Sequence, residues 1–403
     1  MTATPAADSF DVAVVGGGPA GATAATHLAR QGRSVLLLDR PGEIKPCGGA
    51  IPPQLIREFE IPQELLCARV HAARMVSPAD RHVDMPIEGG YVGMVDRDVF
   101  DDWLRRRAAE AGAELREGTF RALSEDDGGG VRLTYLEGRG GSGAERHEVR
   151  ARLVVGADGA NSAVGRQAVP GSKEIPHVAA YHEIIEPPAS AEGACFDPQR
   201  ADVYYRGSLS PDFYGWVFPH GEQVSVGVGS AVKGFSLRQA TAELRAAAGL
   251  EGTRTLRREG APLPLYPLKR WDNGRNVVLT GDAAGTVAPA SGEGIYYAMA
   301  GGQRTAEAVD TALHSGDAKA LAQARKAFMR EHGQVFRVLG VMQRFWYTND
   351  DRRERFVRIC ADPDVQSLTW DAYMNKRLVR AKPLTHARIF FKNIAHLTGL
   401  APA

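Results

Sequence analysis

The stretch "FDVAVVGGGPAGATAATHLARQGRSVLLLD" (10–39) restricts the fold more than any other part of the chain. Aliphatic and β-branched residues at 10–15 read as a buried strand. Gly16, Gly18 and Gly21 follow in GxGxxG spacing. A helix is expected over residues 20–31, ending at Gly32, and a second buried strand over 34–39 closes on Asp39. Each of these positions has a physical task in a βαβ unit. Gly16 makes the turn, Gly18 lets a pyrophosphate approach the backbone, and Gly21 lets the helix pack on the strand. The helix N-terminus faces the phosphates, and Asp39 stands where ribose hydroxyls are held. Ala20 and Arg40, adjoining these positions, are counted with the cofactor-binding set. The same run is apolar enough to resemble a membrane span, but its glycines and proline fall where a strand must turn into a helix. The pattern predicts a dinucleotide site without choosing between FAD and a nicotinamide cofactor.

At 403 residues the chain exceeds one small core, so two or three structural units are expected. A formal net charge of +1 supplies no broad basic field, which argues against a nucleic-acid partner. The four cysteines, Cys47, Cys67, Cys195 and Cys360, are scattered, with neither metal-ligand spacing nor a disulfide framework. No metal is expected, and a reducing, cytoplasmic setting is. The N-terminus has no basic region followed by an apolar core, so no signal peptide is expected.

Two further glycine segments narrow the cofactor. "LVVGADGANSAVGR" (153–166) is a strand ending in Ala157-Asp158-Gly159. "NVVLTGDAAGTVAPASGEGIYYAMAGG" (276–302) is a strand, then Gly281-Asp282, then a turn through Gly292 and Gly294 into a helix from Ile295. With the first motif, these resemble the signatures of the aromatic-hydroxylase superfamily of FAD flavoproteins. The resemblance implies that Asp282 binds the FAD ribityl chain and that the Asp158 segment closes the crevice. It also places Arg97, which opens a helix over 97–112, near the flavin; a solvated helix start is the competing reading. The strands 131–138 and 146–156 fit the three-stranded meander that such flavoproteins insert.

From 175 to 268 the chain reads as a β-rich layer. In "YGWVFP", Tyr214, Trp216 and Phe218 alternate, so all three point to one face of a strand. That face is either packed on a core or an aromatic wall beside the flavin. "KPCGGAIPP" (45–53) is a shaped loop: proline removes donors, glycine relaxes the backbone, and Cys47 is fixed between them. "PCGG", "YGWVFP" and "GDAAG…SGEGI" together resemble the geranylgeranyl reductase family. "KPCGGAIP" and the C-terminal "LTWDAYMNKRLVRAKP" are most similar to its chlorophyll and bacteriochlorophyll branch. The resemblance implies an FAD enzyme that uses NAD(P)H, with NADPH taken as the reductant, to saturate double bonds of a geranylgeranyl tail. An isolated alkene does not readily accept hydride, so the site needs an acid, an apolar groove and electron-rich rings. Tyr214 and Trp216 would supply cation–π stabilisation of about 2 kcal/mol when desolvated. Cys47 would face the alkene as proton donor or as part of a water-excluding wall, with Gly48 and Gly49 close to the isoalloxazine. A packing cysteine is the rival view, and a bound water is a rival acid. The competing activity is an FAD monooxygenase acting on an aromatic ring. A halogenase is disfavoured because no lysine lies between Gly16 and Asp39.

The expected fold class is α/β. A Rossmann-like FAD-binding domain with a β-meander (8–170 and 270–315) is joined by a β-rich substrate domain (171–269, with part of 50–95) and a C-terminal helical region (316–403). In "RIFFKNIAHLTGL", Phe390, Ile394 and Leu397 share one helical face, and Arg388, Lys392 and His396 share another. That segment either packs on its own domain or holds the enzyme peripherally on an anionic, photosynthetic membrane.

Overall fold

The computed structural model describes residues 8–42, 45–126, 129–188 and 196–376. Cys195 and the terminal segment with Phe390 and Lys392 lie outside the described residues. The chain divides into two compact units. The first comprises Met1–Lys45, Arg97–His177 and Pro262–Gly333, and the second Pro46–Asp96, Val178–Ala261 and Gln334–Ala403. The expected α/β class is found, with several sheets and helices at the end of the described chain.

In the first unit the strand Ser9–Val15 pairs in parallel with Val35–Asp39 on one side and with Arg146–Gly156 on the other. Val35–Asp39 pairs onward with the start of Glu114–Glu125, and Arg146–Gly156 with Val277–Leu279. The two long strands are used twice. Their other halves pair antiparallel with Val131–Glu137, which makes the meander. Val12, Ala13, Val14 and Leu36 are fully buried, as strands covered on both faces require. The helix Pro19–Arg30 starts with proline in its first turn, where a missing N–H costs nothing. Its small residues Ala22, Ala24 and Ala25 are fully buried. They admit the long helix Ile295–Ser315 so closely that a Cβ on Gly302 would lie 2.3 Å from the Ala20 carbonyl oxygen.

The second unit holds a seven-stranded sheet in the order Thr255–Pro264, His177–Ile185, Gln223–Ser230, Gly215–His220, Arg200–Tyr204, Ala72–Val76, His82–Pro86. Arg200–Tyr204 and Ala72–Val76 run parallel; the other registered pairs are antiparallel. The helix Leu237–Ala247 buries Leu244 among Val217, Val226 and Val228. A smaller sheet pairs Val92–Val95 with Ala50–Ile51 and with Leu66–Val70. Arg353, on the helix Asp350–Ile359, is 2 % exposed and donates to the carbonyl oxygens of Ser210, Pro211 and Tyr347. No helix among the described residues is long and apolar enough to cross a membrane.

Candidate functional site

In the first unit the glycines of the βαβ turn are not equivalent. A Cβ on Gly16 would lie 2.3 Å from the Ala157 carbonyl oxygen, and on Gly21 it would lie 1.9 Å from the Gly16 oxygen. Both are closed in by protein. Gly18 differs: its nearest neighbours would be Asp101 and Arg97 at 3.9 and 4.0 Å. The space before Gly18 is therefore left for something other than this backbone, at the N-terminus of Pro19–Arg30, where N–H groups lack intrahelical partners. Gly17 lies against the Asp39 side chain, whose carboxylate takes a 3.1 Å bond from Arg105. Burial raises the Asp39 carboxyl above its ordinary value, opposed by the Gly17 N–H and by Arg105. Arg40 follows directly at the end of the strand.

Arg97 opens the helix Arg97–Glu110 but is not a solvated helix start. It is 5 % exposed and makes a two-pronged pair with Asp101 at 2.8 and 2.6 Å. The planar guanidinium and the i,i+4 spacing fix its direction. Asp158 turns its carboxylate on the chain that follows, accepting from the Ser162 hydroxyl at 2.5 Å and from the N–H groups of Ala163 and Val164 at 2.6 and 3.0 Å. Ser162 is the N-cap of the helix Ala163–Ala168, and burial raises the Asp158 carboxyl against those bonds. Gly281 is left-handed (φ 63°), and a Cβ there would also meet Ala20 at 2.6 Å. Asp282 is 6 % exposed and ion-pairs with Lys45. Ala290 and Gly292 are both left-handed, at φ 63° and 67°. An alanine held there stores backbone strain, which collects at ligand-holding turns. Gly294 then caps the buried start of the helix at Ile295.

In the second unit the "PCGG" turn sits on the aromatic strand. Tyr214, Trp216, Phe218 and His220 alternate, and their rings form a row: 6.1 Å between the centroids of Tyr214 and Trp216, and 6.3 Å between Trp216 and Phe218. A Cβ on Gly48 would touch Phe218 at 3.2 Å, and one on Gly49 would touch His220 Cε1 at 3.2 Å. Gly49 is left-handed (φ 78°), its Cβ would lie 2.4 Å from the Val95 oxygen, and its own carbonyl accepts from Val95 N–H at 2.9 Å. No other residue fits there. The Gly49 N–H also points at Cys47 Sγ, 3.4 Å away, so the thiol is part of the turn. Ala50 and Phe218 pack on the same apolar cluster as Trp370, Tyr373 and Met374. Three segments that carry the family resemblance thus meet within this unit.

Trp216 is locked from behind. Its indole N–H donates to Ser225 Oγ at 3.1 Å, that oxygen lies 3.0 Å from His182 Nδ1, and His182 Nε2 lies 3.0 Å from Glu259. The His182 contact holds the Glu259 carboxyl below its ordinary value. A second histidine–carboxylate pair stands at the end of the row, His220 with Asp96. The bond to His220 lowers the Asp96 carboxyl. Sequence reasoning stopped at Phe218 and missed His220, although the same alternation continued by one step would have found it. It also missed Lys45, Asp101 and Arg105, which are recognisable only through their partners.

A family model described as "FAD binding domain" matches residues 65–325, and one described as "FAD dependent oxidoreductase" matches residues 11–50. A geranylgeranyl diphosphate reductase of Rhodobacter capsulatus is 55 % identical over 98 % of this chain and 98 % of its own. The chloroplastic geranylgeranyl diphosphate reductase of Oryza sativa subsp. japonica is 38 % identical over 98 % of this chain and 87 % of its own. A solved geranylgeranyl bacteriochlorophyll reductase-like protein from Thermoplasma acidophilum superposes with a TM-score of 0.80 at 24 % identity, covering 94 % of this chain and 99 % of that one. FAD suits the space left before Gly18 and the buried acid at Asp282, and with identity of this extent the chain belongs to the geranylgeranyl reductase family of FAD-dependent oxidoreductases.

Proposed function

We propose that this chain saturates carbon–carbon double bonds of a geranylgeranyl chain, carried on a diphosphate or on a pigment ester, and that NAD(P)H supplies the electrons. The single observation that carries this reading is the seating of the "PCGG" turn on Phe218 and His220, in line with Trp216 and Tyr214. FAD, when bound and reduced, supplies a hydride. The chain's own residues then do three things. The glycines at 16, 18 and 21, Asp39 and Asp282 bind and orient the cofactor, with Arg97 fixed by Asp101. The aromatic row offers ring faces that stabilise positive charge developing on a tertiary carbon, each by about 2 kcal/mol once water is excluded. Cys47 presents a proton to the other alkene carbon from a turn whose backbone cannot move aside. A row of ring faces also lets a prenyl chain shift register between successive reductions more easily than a set of polar anchors would.

The test is anaerobic incubation of purified enzyme with NADPH and either geranylgeranyl diphosphate or a geranylgeranyl pigment ester, with products weighed by mass spectrometry. Products that gain hydrogen in pairs are expected, and a parallel incubation under air should incorporate no oxygen. Oxygen in the product, or no reduction of either substrate, would overturn the reading.

A further inference from the structure

Where the aromatic strand of the second unit ends, three strands each bring a different kind of metal ligand. His220 closes Gly215–His220, Asp96 follows Val92–Val95, and Cys67 lies on Leu66–Val70. A ring nitrogen, a carboxylate oxygen and the thiol sulfur all lie within 4.8 Å of one another. No spacing in the sequence predicts this group, because its members are far apart and only folding assembles them. Two local features hold it. The ladder between Leu66–Val70 and Val92–Val95 pairs Leu66 with Val95 and then Ala68 with Met94, so Cys67 is the extra residue of a bulge. A bulge gives up one ladder step and re-aims a side chain. Here the thiol donates to the Met94 carbonyl oxygen at 3.3 Å. On the other side, His220 pairs with Gln223 across a tight turn in which Gly221 is left-handed (φ 65°). A Cβ on Gly221 would lie 3.4 Å from Cys67 Cβ, so the turn backbone passes over the cysteine.

We propose that Cys67, Asp96 and His220 form a zinc site, with three protein ligands and a water in the fourth position. Sulfur and imidazole nitrogen suit zinc and are poor ligands for magnesium or calcium. A thiolate and a carboxylate together neutralise a divalent cation. Arg257 also faces Asp96 and opposes a cation, but Glu259 holds it at 3.5 Å. His220 is 4 % exposed; its Nε2 ion-pairs with Asp96, and its Nδ1 is buried with no hydrogen-bond partner among the described residues. No protein group on Nδ1 therefore fixes the tautomer, so Nε2 can give its lone pair to the ion while Nδ1 carries the proton. The lack of an outer partner on Nδ1 also keeps the affinity moderate and the ion exchangeable. Zinc replaces the thiol proton of Cys67 and the proton between His220 and Asp96; both protons go to water, and no oxidation state changes. Tetrahedral zinc sets its ligand atoms about 3.5 Å apart, so His220 and Asp96 must separate from direct contact. Asp96 can yield, because its side chain is 38 % exposed, and water reaches the fourth position from that side. The bound ion would tie the small sheet to the end of the aromatic strand.

The test is equilibrium dialysis of the FAD-loaded protein against micromolar zinc, with bound metal counted by mass spectrometry. The parent should hold a single zinc per chain, and excess magnesium should not displace it. Cys67→Ser keeps the size of the side chain and removes the thiolate, so it should bind at least about ten-fold more weakly, and Asp96→Asn should lose several-fold. The control is His147→Gln. His147 belongs to a second cluster with Glu137 and Glu145, whose two carboxylate residues are exposed and which has no thiol. This variant should bind zinc as the parent does. Zinc should also raise the melting temperature of the parent and leave that of Cys67→Ser unchanged, because a ligand held only by the folded state stabilises it. No zinc retained by the parent, parent affinity in folded Cys67→Ser, or loss of the zinc in His147→Gln overturns the proposal. Where Cys67→Ser does not fold, parent affinity in Asp96→Asn overturns it instead.

Discussion

The sites proposed in the two units are built from different parts of the chain. The cofactor cradle proposed for the first is made mainly of backbone: glycines at 16, 18 and 21, the start of the helix Pro19–Arg30, and left-handed residues at 281, 290 and 292. The aromatic site of the second is made of side chains on one strand face, with a glycine turn laid over them. A backbone site is sensitive to an added Cβ wherever protein or ligand closes on the chain. Side-chain sites tolerate replacement in the fold and change the chemistry. The first kind of site suits a cofactor that stays in one pose. The second suits a long apolar substrate that must be presented several times.

The strongest way to break this contrast is within the cradle itself. Gly21→Ala places a Cβ 1.9 Å from the Gly16 carbonyl. A backbone atom cannot yield as a side chain does, so a loss on the order of 4 kcal/mol or more is expected, seen as insoluble or unfolded protein. Gly18→Ala has 3.9 Å of clearance. It should melt like the parent and yet be purified nearly colourless. Equal flavin content in Gly18→Ala and parent would show that the open space before Gly18 does not hold the pyrophosphate. A smaller effect is expected at Asp282. Its partner Lys45 is 37 % exposed and can be solvated when the acid is removed. Asp282→Ala should therefore keep its melting temperature while flavin retention, read by absorbance after gel filtration, falls several-fold.

The legible part of the molecule follows the same division. Gly16, Gly18, Gly21 and Asp39 lie within one βαβ unit, and their spacing alone announces them. The fold class and the strands Ser9–Val15, Val35–Asp39, Val131–Glu137 and Arg146–Gly156 follow from local apolar pattern. What stayed hidden is non-local. Lys45 and Asp282 are 237 residues apart and meet only when the chain folds. The parallel pairing of Ala72–Val76 with Arg200–Tyr204 has no local signal either. A solvated start competes for Arg97 because its helix is highly charged, whereas Arg97 is buried and bonds Asp101, four residues on. His220 was obscured by Pro219, which reads as the end of a strand although the sheet continues through it.

The smallest expected effect concerns the lock behind Trp216. The contact with His182 depresses the Glu259 carboxyl. A depressed carboxylate stabilises the fold at pH values above its unfolded value, and that contribution disappears as pH falls through its folded value. Glu259→Gln should thus melt lower than the parent at neutral pH, and the difference should shrink and then vanish as pH falls below the ordinary carboxylate range. A constant difference across that range would mean that shape rather than charge holds His182 and, through Ser225, Trp216.

The central claim is that the "PCGG" turn presents Cys47 to a prenyl double bond, and anaerobic stopped-flow on Cys47→Ala and Cys47→Ser tests it most directly. Flavin absorbance separates reduction by NADPH from reoxidation by geranylgeranyl diphosphate. Both variants should keep FAD and be reduced at the parent rate. Both should then be reoxidised by the prenyl substrate at least ten-fold more slowly, because a serine hydroxyl matches the thiol in shape but not in acidity. Parent rates in both half-reactions for Cys47→Ala would contradict the claim, and would leave the cysteine as packing beneath a turn whose purpose lies elsewhere.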